Sequence, residues 1–174
     1  IPCYEMGGQG PPMLKRSFDQ IKNQTYKDVE IVISDHSIDD GVKKICDEYS
    51  SILNIVYIKN PLDRGNFSSN LNNSIRKASG EIIKLLMQDD YFMGFNDLES
   101  TVRIFEDSSV NWVACGCYSG WSTNDYNTLI PKYDDPSISR GVNTIGSPSV
   151  ITIRNKNIQY FDEGLSWVVD LDYY

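Results

Sequence analysis

Histidine is almost missing from this chain, with His36 alone among 174 residues. Cys115 and Cys117 form the one close cysteine pair, and their alternation fits two residues on one face of a strand better than half of a tetrahedral metal centre. The other cysteines, Cys3 and Cys46, fall in apolar or helical surroundings without framework spacing, so all four read as reduced thiols. Positive charge is also scarce. With 16 Lys and Arg against 24 Asp and Glu, the formal charge of −8 opposes a polyanion, and no nucleic-acid partner is expected, although a local basic patch can still hold one phosphate. Long apolar runs are lacking: "EIIKLLM" and "NWVACGC" fall far short of the roughly 20 residues that span a bilayer. The N-terminus has no charged-then-apolar secretory pattern, so the chain reads as a water-facing, cytoplasmic one. Finally, there is no phosphate-wrapping loop. "GGQG" at residues 7–10 lacks the dinucleotide spacing and any lysine, and prolines mark the helix start behind it.

What is present is an ordinary globular balance of 40% apolar and 23% charged residues, enough for one core. Leu14, Phe18 and Ile21 recur at helical spacing after Pro11 and Pro12. "VEIVIS" at 29–34 reads as a strand, followed by turn residues and a helix facing inward through Val42, Ile45 and Tyr49. "NIVYIKN" at 54–60 repeats the strand, a loop over 61–66 follows, and Leu71, Ile75 and Ala78 mark a helix closed by Ser79 and Gly80. "EIIKLLM" shows no alternation, as a central strand covered on both faces should not. Phe95, Leu98, Val102 and Phe105 give another helix face, and "VNWVACGCY" one more strand. Strand and helix alternate four times, which predicts an α/β fold with a Rossmann-like, mostly parallel central sheet flanked by helices. Residues 119–140 are polar and aromatic and read as a long substrate loop; order resumes with "SVITIR" and "WVVDLDYY". The whole is read as one domain over 1–174, with a nucleotide-binding half over 1–90 and an acceptor and catalytic half over 91–174. The start at Ile1 and the end in an opening helix read as cut ends.

In open parallel sheets ligands bind beyond the carboxyl ends of the strands. Here those ends carry Tyr4, then Ser34 and Asp35, then Gln88, Asp89 and Asp90, and the topology should gather them into one cleft. Without a phosphate loop, a divalent cation held by carboxylates is the standard way to neutralise a diphosphate.

The stretches "IPCYE", "QTYKDVEIVISDHSIDD", "NLNNSIRKASGEIIKLLMQDD", "GSPSVITIR" and "FDEGLSWVVDLDYY" resemble glycosyltransferase family 2 in order and spacing, over nearly the whole chain. The resemblance implies an A-type glycosyltransferase fold and an inverting, metal-dependent glycosyltransferase. It would move a sugar from a nucleotide-diphosphate donor, a UDP-sugar first, to a saccharide or lipid-linked acceptor hydroxyl in cell-surface polysaccharide or glycan synthesis. Peripheral membrane association would come through regions outside the chain. Residue by residue, it implies that Pro2, Tyr4 and Asp35 hold the nucleoside and that Asp89 lies near the ribose. Asp90 would bind Mn2+ or Mg2+, and Asp170 would be the general base, with Asp172 supporting it from the helix. Three positions depart from the family pattern: His36, Gln88 where the motif often has its first Asp, and Val169 where Glu often precedes the base.

Arg64 lies where a cation could meet the diphosphate, or could be a solvated surface residue. His36 reads as a solvated loop residue. Asp35 could instead cap the next helix together with Ser37 and Asp39, and Asp170 and Asp172 could be helix N-terminal charges. "GSPS" could present backbone N–H groups to hydroxyls or be a structural turn. Trp121, Tyr126 and Tyr133 could stack on a sugar or pack the loop. Two other functions compete: a nucleotidyltransferase, which would need a basic Gly-rich loop after the first strand, and a non-catalytic nucleotide- or sugar-binding module.

Overall fold

The computed structural model describes residues 1–122 and 125–174, with the side chains of residues 121–125 left out of the description. The first sheet is parallel, in the order β1 (Pro2–Cys3), β2 (Ile31–Asp35) and β3 (Ile55–Lys59). Helices α1 (Gly10–Lys22), α2 (Gly41–Tyr49) and α3 (Phe67–Lys77) make the connections. The α1 helix starts with prolines in its first turn, where a missing N–H costs nothing, and buries Leu14, Phe18 and Ile21. Asn66 caps α3 by accepting from the Ser69 N–H at 3.0 Å.

The second sheet runs β4 (Ile82–Lys84), β8 (Ile151–Arg154), β5 (Trp112–Ala114). Both outer strands are antiparallel to β8. They therefore point the same way, as the crossover through α4 (Asp97–Ile104) requires. The predicted parallel run thus holds for β1 to β3, while a late strand enters backwards between β4 and β5. The lack of alternation after Glu81 has a direct cause. Ile83, Leu85 and Met87 pack into one buried cluster with Leu71, Ile75 and Ile151, whereas Leu86 packs into the other with Cys3, Phe18 and Ile33. Each such side chain contributes about 1.5–3 kcal/mol.

"VNWVACGCY" is two strands rather than one, and the expected substrate loop begins as a hairpin. The strands β6 (Cys117–Ser122) and β7 (Asp125–Leu129) pair antiparallel. Tyr126 meets Tyr118 at 4.7 Å and Tyr133 meets Trp112 at 5.2 Å between ring centroids, each edge-to-face. Both expected sugar-stacking tyrosines are thus paired with other aromatics yet stay exposed; the side chain of Trp121 lies outside the described residues. Helix α5 (Val169–Tyr173) closes the chain. No helix among the described residues is long and apolar enough to cross a membrane.

Candidate active site

Two points tie the carboxyl edge of the first sheet to the segment after β4. The Tyr4 N–H donates to Oε1 of Gln88 at 2.9 Å, and a Cβ on Gly10 would meet the Tyr4 carbonyl oxygen at 2.1 Å and Nε2 of Gln88 at 2.7 Å. Only glycine lets α1 begin this close to the strand end. Pro2 pairs opposite Ser34 in β1, and the Tyr4 side chain is 50% exposed.

Asp35 ends β2 with its side chain 0% exposed. Its carboxylate accepts from the Ser37 N–H at 2.8 Å, the Tyr57 hydroxyl at 2.7 Å and Nζ of Lys59 at 3.3 Å. Burial, followed by the hydrogen bond to Asp35, holds the Tyr57 phenol protonated well above its ordinary range. A buried carboxylate needs such donors. These three donors leave one acceptor site, on Oδ1, for a further N–H. Asp39 behaves as a helix-start residue, accepting from the Gly41 N–H at 2.9 Å. Arg64 projects from the loop between β3 and α3, donates through Nε to the His36 carbonyl at 3.0 Å and pairs with the Glu5 carboxylate. His36 is not solvated: its side chain is 4% exposed and touches Asn60. The sequence shows a polar loop there, and the amides that enclose the ring come from far along the chain.

After β4, Gln88 is 3% exposed and its Nε2 has no partner. Asp89 is exposed and Asp90 partly buried. The chain here is clamped from α1, where Nη2 of Arg16 donates to the Asp89 carbonyl and the Ser17 hydroxyl to the Asp90 carbonyl, both at 2.6 Å. Arg16 also stacks over the Tyr91 ring at 4.1 Å. From the other side Ser149, in the "GSPS" stretch, accepts the Met87 N–H at 2.8 Å, and its hydroxyl acts on the Asp90 carboxylate. Burial pushes the Asp90 carboxyl above the usual range, with Asp89 adding to the shift while Ser149, Arg16 and Lys84 resist it. Lys84 is sunk beneath, donating to the Ser149 carbonyl, and burial lowers its pKa.

Asp170 lies in the first turn of α5, where Nδ2 of Asn143 donates to its Oδ2 at 2.6 Å. The other bonds of Asn143 go to the turn at Ile145 and Gly146, which is where Tyr174 also donates, at 2.7 Å. Just before α5, Val168 is held at φ 54°, a strained setting for a β-branched residue. Asp90 and Asp170 act on different side chains, Cys117 and Tyr174, and Cys117 in turn acts on Tyr174. Burial, then Cys115 and Asp90, push the Cys117 thiol up; burial, then Asp170 and Cys117, push the Tyr174 phenol up. Cys117 and Tyr174 thus stand between the two carboxylates. A cavity of about 500 Å³ lies elsewhere, between β2 and β4, and none of the residues expected at the site line it.

The fit to a divalent cation rests on Asp89 and Asp90. Adjacent carboxylates, one raised by burial and by the other's charge, are what a cation relieves. Among the described residues there is no group of three or more His, Cys, Asp and Glu that could hold a metal unaided. Two carboxylates suit an ion that takes its remaining ligands from substrate phosphates and water. Glu5, Arg16, Lys84, Asn143 and Ser149 were not expected at this rim. Lys84 left a trace in the sequence as a charge inside an apolar strand, and Ser149 lies in the "GSPS" stretch, which reads as a source of backbone N–H groups.

A carboxylate-lined edge on a Rossmann-like half, completed by a backward strand and a terminal acidic helix, defines an A-type glycosyltransferase fold. S. aureus TarS 1–349 in complex with UDP has this architecture, with a TM-score of 0.76 at 16% identity over 99% of this chain and 52% of that one. The mannosyltransferase PcManGT of Pyrobaculum calidifontis, in complex with GDP-Man and Mn2+, is similar at a TM-score of 0.55 and 25% identity over 66% of this chain and 33% of that one. The family profile for glycosyl transferase family 2 matches residues 1–160, and the chain belongs to that family. A Campylobacter jejuni GalNAc(5)-diNAcBac-PP-undecaprenol beta-1,3-glucosyltransferase is 32% identical over 85 residues, 45% of this chain and 26% of that protein. Glycosyltransferase GlyG of Streptococcus pneumoniae is 26% identical over 127 residues, 73% of this chain and 40% of that protein. The chain thus spans between a quarter and two fifths of the length of these curated relatives.

Proposed function

We propose that this domain transfers a sugar, with inversion, from a nucleoside diphosphate sugar to an acceptor hydroxyl, residues 1–90 holding the nucleotide and 91–174 serving acceptor and catalysis. What supports this reading most is the run of neighbours that links Asp90 to Asp170, Asp90 acting on Cys117, Cys117 on Tyr174, and Asp170 on the same Tyr174. Pro2, Tyr4 and the Asp35 turn form the nucleoside side, and Arg64 leaves Glu5 to meet the diphosphate. Asp89 reaches the ribose. Asp90, with Asp89 beside it, holds Mn2+ or Mg2+, which when bound neutralises charge on the departing diphosphate. Asp170 takes the acceptor proton as the hydroxyl attacks the anomeric carbon. Asn143 fixes which oxygen of that carboxylate is free, since it occupies Oδ2. Asp172 supports the base from the same first turn of α5.

UDP bound to the similar TarS makes a uridine nucleotide the first donor to test. The undecaprenol-linked substrate in the Campylobacter relative's name supports a saccharide or lipid-linked acceptor in cell-surface glycan synthesis, reached at the cytoplasmic face of a membrane. The test replaces Asp90 and Asp170 by Asn. D90N should lose Mn2+-dependent nucleotide binding, and D170N should bind nucleotide yet transfer no sugar. Transfer at the wild-type rate by both variants overturns the assignment.

A further inference from the structure

The one histidine of the chain is part of a buried amide chain whose polarity the backbone dictates. Nδ2 of Asn70 donates to the Cys3 carbonyl at 3.2 Å, which turns Oδ1 of Asn70 toward the Ser34 hydroxyl at 2.6 Å and Nδ2 of Asn60 at 3.3 Å. Oδ1 of Asn60 in turn accepts the Leu62 N–H at 3.2 Å. Neither amide can be turned round without setting carbonyl against carbonyl at Cys3 or N–H against N–H at Leu62. The Nδ2 of Asn60 must therefore donate to the atom 2.9 Å away, Nε2 of His36. That nitrogen carries no hydrogen. The hydrogen of the neutral ring is therefore on Nδ1.

We propose that His36 is a positioning residue of the donor site: its neutral ring, with its proton on Nδ1, clamps the Asn60–Arg64 segment to the end of β2, and a second proton releases it. This rests on the reading of Asp35 and Arg64 as donor-site residues. The clamp acts on both. The Asn60 N–H donates to the Asp35 carbonyl at 2.9 Å, and Arg64 donates to the His36 carbonyl at 3.0 Å. A proton on Nε2 would face the donor hydrogens of Asn60 inside the fold and break the chain at its first link. Asp35 on β2 and Asp63 on the loop favour the charged ring, while Arg64, itself paired with Glu5, opposes it. Burial outweighs these charges and lowers the pKa of the ring.

The sign follows. An unfolded chain protonates its histidine first, so the contribution of the clamp is complete above about pH 6.5 and is lost as pH falls below it. Because His36 stands alone, its ring nitrogens can be read without assignment in long-range 1H–15N spectra of the labelled protein. The neutral Nδ1–H form is expected; an Nε2–H form overturns the clamp. Calorimetry with UDP supplies the second readout. Between about pH 7.5 and 5.5 wild-type affinity should fall roughly fivefold more than that of His36→Gln, whose amide accepts without titrating, equivalent to about 1 kcal/mol. Equal acid weakening in the two proteins overturns the proposal. Failure of UDP to bind at either pH, with the Nδ1–H form intact, overturns the donor-site reading and leaves the clamp standing as a structural feature.

Discussion

Replacing Ser149 by Ala removes one oxygen that serves two elements. Its hydroxyl oxygen accepts the Met87 N–H at 2.8 Å, and the same group favours the ionised Asp90 carboxylate. Met87 is buried, so its N–H would be left without water or partner, which costs about 1–3 kcal/mol. Asp90 is only partly buried and can recover a water, so the Met87 cost dominates. Taking about 2 kcal/mol, the melting point should fall by roughly 4–8 °C for a chain of this size. Urea unfolding followed by circular dichroism should show a lower midpoint at unchanged slope. The variant also has a pH signature. The Asp90 carboxyl is already raised by burial, and losing the Ser149 hydroxyl, which opposes that shift, raises it further. In the window between about 3.8 and its folded value the native state binds more protons than the unfolded one, so stability falls as pH rises there, and S149A widens that window. A variant that melts within half a degree of wild type and holds Mn2+ and nucleotide equally well across that window would refute the idea that Ser149 joins the two halves of the rim.

Lys84→Met removes a buried cation whose pKa burial lowers. Wild-type stability should rise with pH between the lowered folded value and about 10.5, since the unfolded chain binds that proton more readily, and K84M should abolish the rise in a thermal-melt series. Nucleotide affinity in the presence of Mn2+ should drop in the same variant, because Lys84 helps keep Asp90 ionised. Arg64→Ala should weaken UDP binding about tenfold, whereas Glu5→Gln, which frees Arg64 from an exposed pair worth about 0.2–1 kcal/mol, should tighten it by up to about fivefold. Calorimetry reads both, and tighter binding by R64A would remove Arg64 from the donor site.

Much of the fold was legible because local periodicity decides it. The spacing of Leu14, Phe18 and Ile21 marks α1, and the stretch from Ile82 to Met87, apolar without alternation apart from Lys84, marks a strand covered on both faces. The place of β8 was not legible, since which strand fills a gap depends on pairing between Ile83 and Ile153, 70 positions away in sequence. Asp89 and Asp90 stood out because charge at the end of a buried strand needs a reason. His36 misled for the opposite reason: a polar residue among Ser and Asp reads as solvated, and only Asn60, 24 residues on, shows it enclosed. Residues 119–140 lack the alternation of a core strand because the hairpin that spans their start exposes both faces, Tyr118 and Tyr126 on one and Ser119 and Asn127 on the other.

The backward entry of β8 sets an order for synthesis. Until Ile151–Arg154 leave the ribosome, β4 and β5 have nothing between them, and the apolar flank of Ile83 and Leu85 has no cover from Ile151 and Ile153. Nascent chains halted before that point should be sticky and dependent on chaperones, because an unpaired apolar strand edge invites association. Release from that state should come abruptly, when one short strand closes both gaps at once.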